Sequence, residues 1–227
     1  FGQVEHFDTR SAGGLVGAMS ICGLVGGLLF LFGDRSKNDR LMRKEAMAVV
    51  ALSWILASVL GALPFWLSST CVGRDVQGNP EVMDIAEGLF ESASGFSGTG
   101  ATVITDLEDP ELVPRAILFW RSETHFLGGL GIMELFVAIL GFGSAGKTLM
   151  MTEMPGPQQD SPHATSRHSA MAFALIFIVL TIVLTIILFF EGMNSFDALC
   201  HAFGTIATGG FSTYNDSVAH FHSATID

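Results

Sequence analysis

The chain has 227 residues, 49% of them hydrophobic and only 15% charged, with a mean hydropathy of +0.50; that balance excludes an ordinary soluble globular domain and indicates a membrane protein. A net charge of −11 at neutral pH argues against nucleic acid as a partner, because a phosphate backbone would be repelled. The three cysteines, Cys22, Cys71 and Cys200, lie far apart without CxxC spacing, so neither a disulfide framework nor a zinc site is expected.

Four apolar runs, 13–32, 46–67, 116–142 and 170–190, are each long enough to cross roughly 30 Å of hydrocarbon. The first is rich in glycine (Gly13, Gly14, Gly17, Gly23, Gly26, Gly27), which suits close helix packing and a scaffold role. Arg35, Lys37, Arg40, Arg43 and Lys44 follow in the densest basic cluster of the chain, and the positive-inside rule puts that loop in the cytoplasm. The second run ends near Pro64, so the segment 69–115 is expected on the outer side. It carries nine acids (Asp75, Glu81, Asp84, Glu87, Glu91, Asp106, Glu108, Asp109, Glu111) against Arg74 and Arg115. Two readings stay open for them, a rim that concentrates cations at a pore mouth and a merely solvated loop.

Within that segment, 84–102 reads DIAEGLFESASGFSGTGAT. Asp84 is a candidate N-cap, and Leu89, Phe90, Ala93 and Phe96 recur at helical spacing, which predicts a helix of about three turns ending at the glycine-rich tract. Such a helix is too short to span a bilayer, and the long apolar runs on both sides suggest a re-entrant helix and loop whose backbone lines a wet cavity. The composition suits a cation filter: glycines let carbonyl oxygens turn inward, Ser and Thr add oxygen ligands, and a helix C-terminus directs partial negative charge at the site.

The third run opens with Arg121, Glu123 and His125 and continues through LGGLGIM into Glu134. Arg121 either pairs with a carboxylate near the outer mouth or snorkels to the interface. Gly128, Gly129 and Gly131 would let a short helix pack closely against this span. Residues 152–168 hold three of the seven prolines and read as an irregular connector, which Lys147 and Arg167 place in the cytoplasm. After the fourth run, 194–213 reads NSFDALCHAFGTIATGGFST, with Thr208-Gly209 falling 109 residues after Thr99-Gly100, Ala202 answering Ala93 and Gly204 answering Gly95. Two such segments, each after a hydrophobic span, indicate an internal repeat of span, short helix, glycine-rich loop and span.

Some patterns point elsewhere and are set aside. Residues 141–148, GFGSAGKT, match the phosphate-binding pattern G-x-x-x-x-G-K-[ST], but a hydrophobic span precedes them where the mechanism needs a buried strand. His125, His163, His168 and His201 fall on different predicted elements without i, i+4 pairing, so no transition-metal site is expected and packing is the commoner role for His201. No GxSxG elbow is present, and no catalytic residue is proposed.

The stretches FESASGFSGTGATV (90–103), FWRSETHFLGGLGIM (119–133), EMPGP (153–157) and FDALCHAFGTIATGGFST (196–213) occur in an order and spacing that resemble the Trk/Ktr/HKT superfamily of potassium transporters, in particular its bacterial Trk-type membrane subunits, over roughly residues 46–221. The resemblance implies an all-α membrane protein built of four span, pore loop, span units around one potassium path in a pseudo-fourfold pore, with fewer than two units present here. It implies an organisation of a scaffold span and basic loop (1–45), a first unit (46–143), a cytoplasmic connector (144–168) and a second unit cut after its pore loop (169–227). Because the chain starts at Phe1 and stops before a closing span, a fragment of a longer protein is expected.

On this resemblance the function is selective uptake of potassium, passive or gradient-driven, across the bacterial inner membrane. The ion ligands in the first loop would be backbone carbonyls of Gly98 and Thr99, with Gly100 in an unusual conformation; in the second loop Ala207, Thr208 and Gly209 would take the same positions. The implied partners are the potassium ion, membrane lipid, a second copy of the chain and a cytosolic nucleotide-binding regulatory subunit that could touch the connector. No covalently bound cofactor is expected. Two departures from the family's common pattern stand out: Ser97-Gly98-Thr99 where a run of three Thr before the Gly is usual, and Thr124-His125-Phe126 where many members carry Leu-Gln-Trp. A different class, a non-transporting membrane scaffold, stays open because fewer than two units cannot enclose a path alone.

Overall fold

The computed structural model describes residues 9–33, 43–141, 162–223 and 225–226, with the backbone alone at 9, 43, 44, 46, 133–141 and 162–169. Helices dominate: α1 (Thr9–Phe32), α2 (Arg43–Gly61), α3 (Leu63–Leu67), α4 (Ile85–Ser97), α5 (Arg115–Gly141), α6 (Pro162–Phe190) and α7 (Ser195–Ile206), followed by a 3₁₀ turn at Ser217–Phe221. Among the described residues Arg10–Phe32, Met47–Leu67 and Ala170–Phe190 are long and apolar enough to cross a membrane. The remaining expected span falls on α5, whose 27 residues reach about 40 Å at 1.5 Å per residue. Large apolar side chains stand exposed along α1, α2 and α6, from Phe30 and Leu52 to Ile182 and Phe190, a surface suited to lipid or further protein.

The second span is broken near its end. Pro64 occupies the first turn of α3, where its missing N–H costs nothing, and the chain turns at Ala62 to start that short helix. A small antiparallel hairpin then follows: β1 (Cys71–Arg74) pairs with β2 (Pro80–Val82). The sequence reading did not foresee this hairpin; its turn is held by Asp75, whose carboxylate accepts the backbone N–H of Gln77 and of Asn79 (both 2.8 Å). Phe65, Cys71, Met83, Ile104, Leu112, Val113 and Ile117 bury together beneath it as one apolar core.

Helix α5 is the centre of the arrangement, packing on α4, α6 and α7. Of its glycines, Gly128 takes the short helix α4 as expected, while Gly129 and Gly131 also serve contacts with the spans α6 and α2. A Cβ on Gly128 would overlap the carbonyl of Phe96 in α4, one on Gly129 would press on Phe177 and Ala207, and one on Gly131 would lie 3.3 Å from Trp54. In the glycine-rich α1 only Gly14 is used so tightly, against the backbone of Leu67 and Ser68, whereas Gly13, Gly23, Gly26 and Gly27 meet nothing within 4 Å. The basic loop 35–42, the GFGSAGKT motif after Gly141 and the connector up to 161 lie outside the described residues.

Candidate functional site

Helix α4 begins with a capping box: Asp84 accepts the N–H of Glu87 and the Glu87 carboxylate accepts the N–H of Asp84, both at 2.7 Å. Its polar and small face, with Gly88, Glu91, Ser92 and Gly95, is buried, and its end is fixed by a paired return of amides. The N–H of Gly98 donates to Gly95 and that of Thr99 to Ser94, both at 3.0 Å, with Gly98 left-handed at φ 69°. This is a Schellman ending, in which the residue after the helix must take positive φ.

Helix α7 repeats the construction. Asn194 caps the N–H of Asp197 (3.0 Å), and at the far end Thr208 donates to Thr205 and Gly209 to Gly204, at 3.0 and 2.8 Å. The left-handed residue here is Thr208, at φ 58°. A β-branched residue in that region is an outlier costing about 1–3 kcal/mol, sustained only where surrounding contacts enforce it.

These hydrogen bonds correct the correspondence between the loops. The letters Thr-Gly align 109 residues apart, but the caps, the Schellman bonds and the positive-φ residues (Gly98 and Gly100, then Thr208 and Gly210) all align at 110. The second-loop residue matching Gly100 is therefore Gly210, at φ 85°, and Gly209 matches Thr99. Letter matching failed because the left-handed position holds Gly in one loop and Thr in the other.

The two loops meet backbone to backbone. A Cβ on Gly100 would overlap the carbonyl oxygen of Gly209, and one on Gly98 would lie 3.7 Å from the carbonyl oxygen of Ala207. All six expected residues, Gly98, Thr99, Gly100, Ala207, Thr208 and Gly209, thus belong to two adjoining turns. Behind them, the His125 ring fills the place a Gly209 side chain would take and stacks on Phe211 at 4.2 Å. Both ring nitrogens of His125 and Nη2 of Arg121 lack a hydrogen-bond partner among the described residues. In front, Trp54, Phe90, Ser97 and Thr99 border an open apolar groove of about 590 Å³.

Each helix also ties buried polar side chains to the segment leaving its loop, and Glu91 and His201 do so from matching positions. Glu91, 0% exposed, accepts the Thr102 hydroxyl (2.5 Å) and the Val103 N–H (2.7 Å). His201 donates from Nδ1 to the Asp197 carbonyl (2.8 Å), which leaves Nε2 to accept the Ser212 hydroxyl (3.0 Å). Asp197 further accepts the Thr213 hydroxyl and the Tyr214 phenol, at 2.8 and 2.7 Å. Burial first, then that bond to Asp197, push the Tyr214 phenol up to about 12, so it stays a donor at neutral pH.

Arg121 pairs with a carboxylate, as one of its two sequence readings expects. Its Nε lies 3.1 Å from Glu91, with both side chains at 1% exposure or less. Glu91 is therefore no rim acid. Most of the other acids are occupied too: Asp84 and Glu87 cap α4, Asp106 and Glu108 bind Asn215, and Asp109 and Glu111 pair with Arg74. Sequence reasoning missed Glu91, Asp197, His201, Gly210 and Asn215 as parts of this site. The available signal was spacing: Gly88, Glu91, Ser92 and Gly95 share one face of α4 at i, i+3, i+4 and i+7.

The profile of the TrkH family, described as cation transport protein, matches residues 15–227. The chain belongs to that family. It is 39% identical over 213 residues to the Trk system potassium uptake protein TrkH of Halomonas elongata, covering 92% of this chain and 41% of the relative. It is 38% identical over 205 residues to TrkH of Escherichia coli K12, covering 89% and 40%. The crystal structure of the potassium transporter TrkH from Vibrio parahaemolyticus superposes with a TM-score of 0.73 at 31% identity, over 95% of this chain and 40% of that one. The chain thus spans about two fifths of the length of these TrkH relatives. It is an all-α, multi-pass membrane protein of a cation transport family rather than an enzyme.

Proposed function

We propose that the chain supplies two of the walls of a potassium-selective uptake path in the bacterial inner membrane. The observation that carries this reading is the approach of two Schellman-ended short helices, which brings Gly98 near the Ala207 carbonyl and Gly100 against the backbone of Gly209 and Gly210. Carbonyls held this way replace the hydration shell of a dehydrated monovalent cation, and both helix C-termini face it with partial negative charge. The names of the TrkH relatives, potassium uptake proteins, support potassium as the ion. In this reading 46–143 and 169–227 are successive pore units, with both loops on the outer side. The rest of the path, a second copy of the chain, membrane lipid and a cytosolic nucleotide-binding subunit near 144–168 complete the assembly.

Rubidium uptake with sodium competition tests it, in potassium-uptake-deficient cells expressing the whole reading frame that encodes the chain. Gly100→Ser and Gly209→Ser should each abolish uptake with protein still in the membrane, since one side chain would enter the facing loop and the other would displace His125. Gly210→Ser, whose Cβ meets nothing within 4 Å, should do less harm. Uptake untouched by the first two changes would remove the loops from the ion path.

A further inference from the structure

A buried ion pair is a poor device for stability alone, because apolar residues of similar volume serve as well without desolvating two charges. Arg121 nonetheless lies fully buried behind the loops, and its contacts reach both of them. Nε meets Glu91 at 3.1 Å, Nη1 donates to the carbonyl of Ser212 at 3.5 Å, and the guanidinium carbon sits 4.1 Å from the centre of the Phe211 ring. Glu91 in turn holds Thr102 and Val103, and Ser212 is held by His201. The two points clamped, Thr102 and Ser212, each lie two residues beyond the second positive-φ residue of their loop.

We propose that Arg121 is a positioning residue that sets the spacing of the two loops and so determines ion selectivity. This rests on the transport reading above. Only a planar, forked cation satisfies the three contacts together; a lysine ammonium reaches one acceptor as a point charge and cannot lie flat on the ring. Selectivity among monovalent cations depends on the number and spacing of the coordinating carbonyls, so a shift of a fraction of an ångström between loops alters it before it alters the fold.

The test measures rubidium uptake with and without sodium competition, for the whole reading frame in potassium-uptake-deficient cells, alongside membrane abundance. Arg121→Lys keeps the charge and should lower discrimination against sodium by about tenfold, within the range that small misplacements of reacting groups produce. Phe211→Leu removes the ring under the guanidinium, keeps an apolar filler, and should lower discrimination in the same direction by a smaller factor. A purely structural role would reduce abundance and maximal rate together while leaving the rubidium-to-sodium ratio at the wild-type value; that result in both variants overturns the proposal. If Arg121→Lys does not reach the membrane, the ratio in Phe211→Leu decides alone. Wild-type protein that carries no rubidium would instead overturn the transport reading itself.

Discussion

The first loop leaves its helix through Gly98 and is anchored by a charged Glu91; the second leaves through Thr208 and is anchored by a neutral His201. The two share the same cap position, the same pair of returning amides and the same tie from helix to exit segment, all 110 residues apart. Different side chains therefore produce the same caps and turns, which argues that the backbone path is the requirement common to both loops. The cost is distributed differently. Loop one carries a buried charge that needs Arg121, while loop two carries a strained threonine held by its surroundings.

The anchors should break the comparison most severely. Glu91→Ala leaves the Arg121 charge buried without a partner and should destabilise the protein by about 3–5 kcal/mol, with loss of folded protein from the membrane. His201→Ala removes two neutral hydrogen bonds and should cost about 1–3 kcal/mol. Thermal unfolding of the purified variants checks this. Equal losses, or a larger one at His201, would contradict the assignment of the charged anchor to loop one.

Exchanging the left-handed residues sharpens the comparison at smaller amplitude. Thr208→Gly relieves strain and should stabilise the protein by about 1–2 kcal/mol while loosening the second turn. Gly98→Thr places its Cβ 3.7 Å from the Ala207 carbonyl oxygen, so it fits at a similar strain cost. Gly98→Thr should raise potassium-over-sodium discrimination and Thr208→Gly should lower it; permeability ratios unchanged in both would separate these residues from selectivity.

The smallest effect is expected at the exposed cluster of Arg74, Asp109 and Glu111. Arg74 hydrogen-bonded to Asp109, with the Glu111 N–H adding to it, holds the Asp109 carboxyl below its ordinary range. A depressed folded-state value contributes stability that is present above the unfolded value, near pH 4, and is lost as pH falls through the folded one. The pair is exposed, so solvent screens it. The melting midpoint of Asp109→Asn should fall slightly below wild type at pH 7 and converge with it once pH drops below the depressed folded-state value. A gap that widens on acidification would refute the pairing.

Much of this was legible in the sequence. Asp84 announced the start of α4, Gly98 and Gly100 announced its end, and three of the four apolar runs announced helices long and apolar enough to cross a membrane. Each signal is local, carried by a residue whose conformation or hydropathy is intrinsic. The register of the second loop was not legible because Thr208 is the kind of residue least expected at positive φ, although the Schellman bonds at that helix end require it there. Glu91 was hidden among eight other acids of the same segment; its role depends on Arg121, 30 residues away, which spacing alone does not identify. The hairpin was hidden by brevity, since four and three residues carry no usable alternation.

The central claim is that the two loops, in the 110-residue register, bound one ion path. Anomalous diffraction from crystals of the whole protein grown in rubidium tests it most directly. The account predicts a peak bordered by carbonyls of Gly98 and Thr99 on one side and Thr208 and Gly209 on the other. Rubidium peaks confined to other parts of the molecule, with none between these turns, would contradict it.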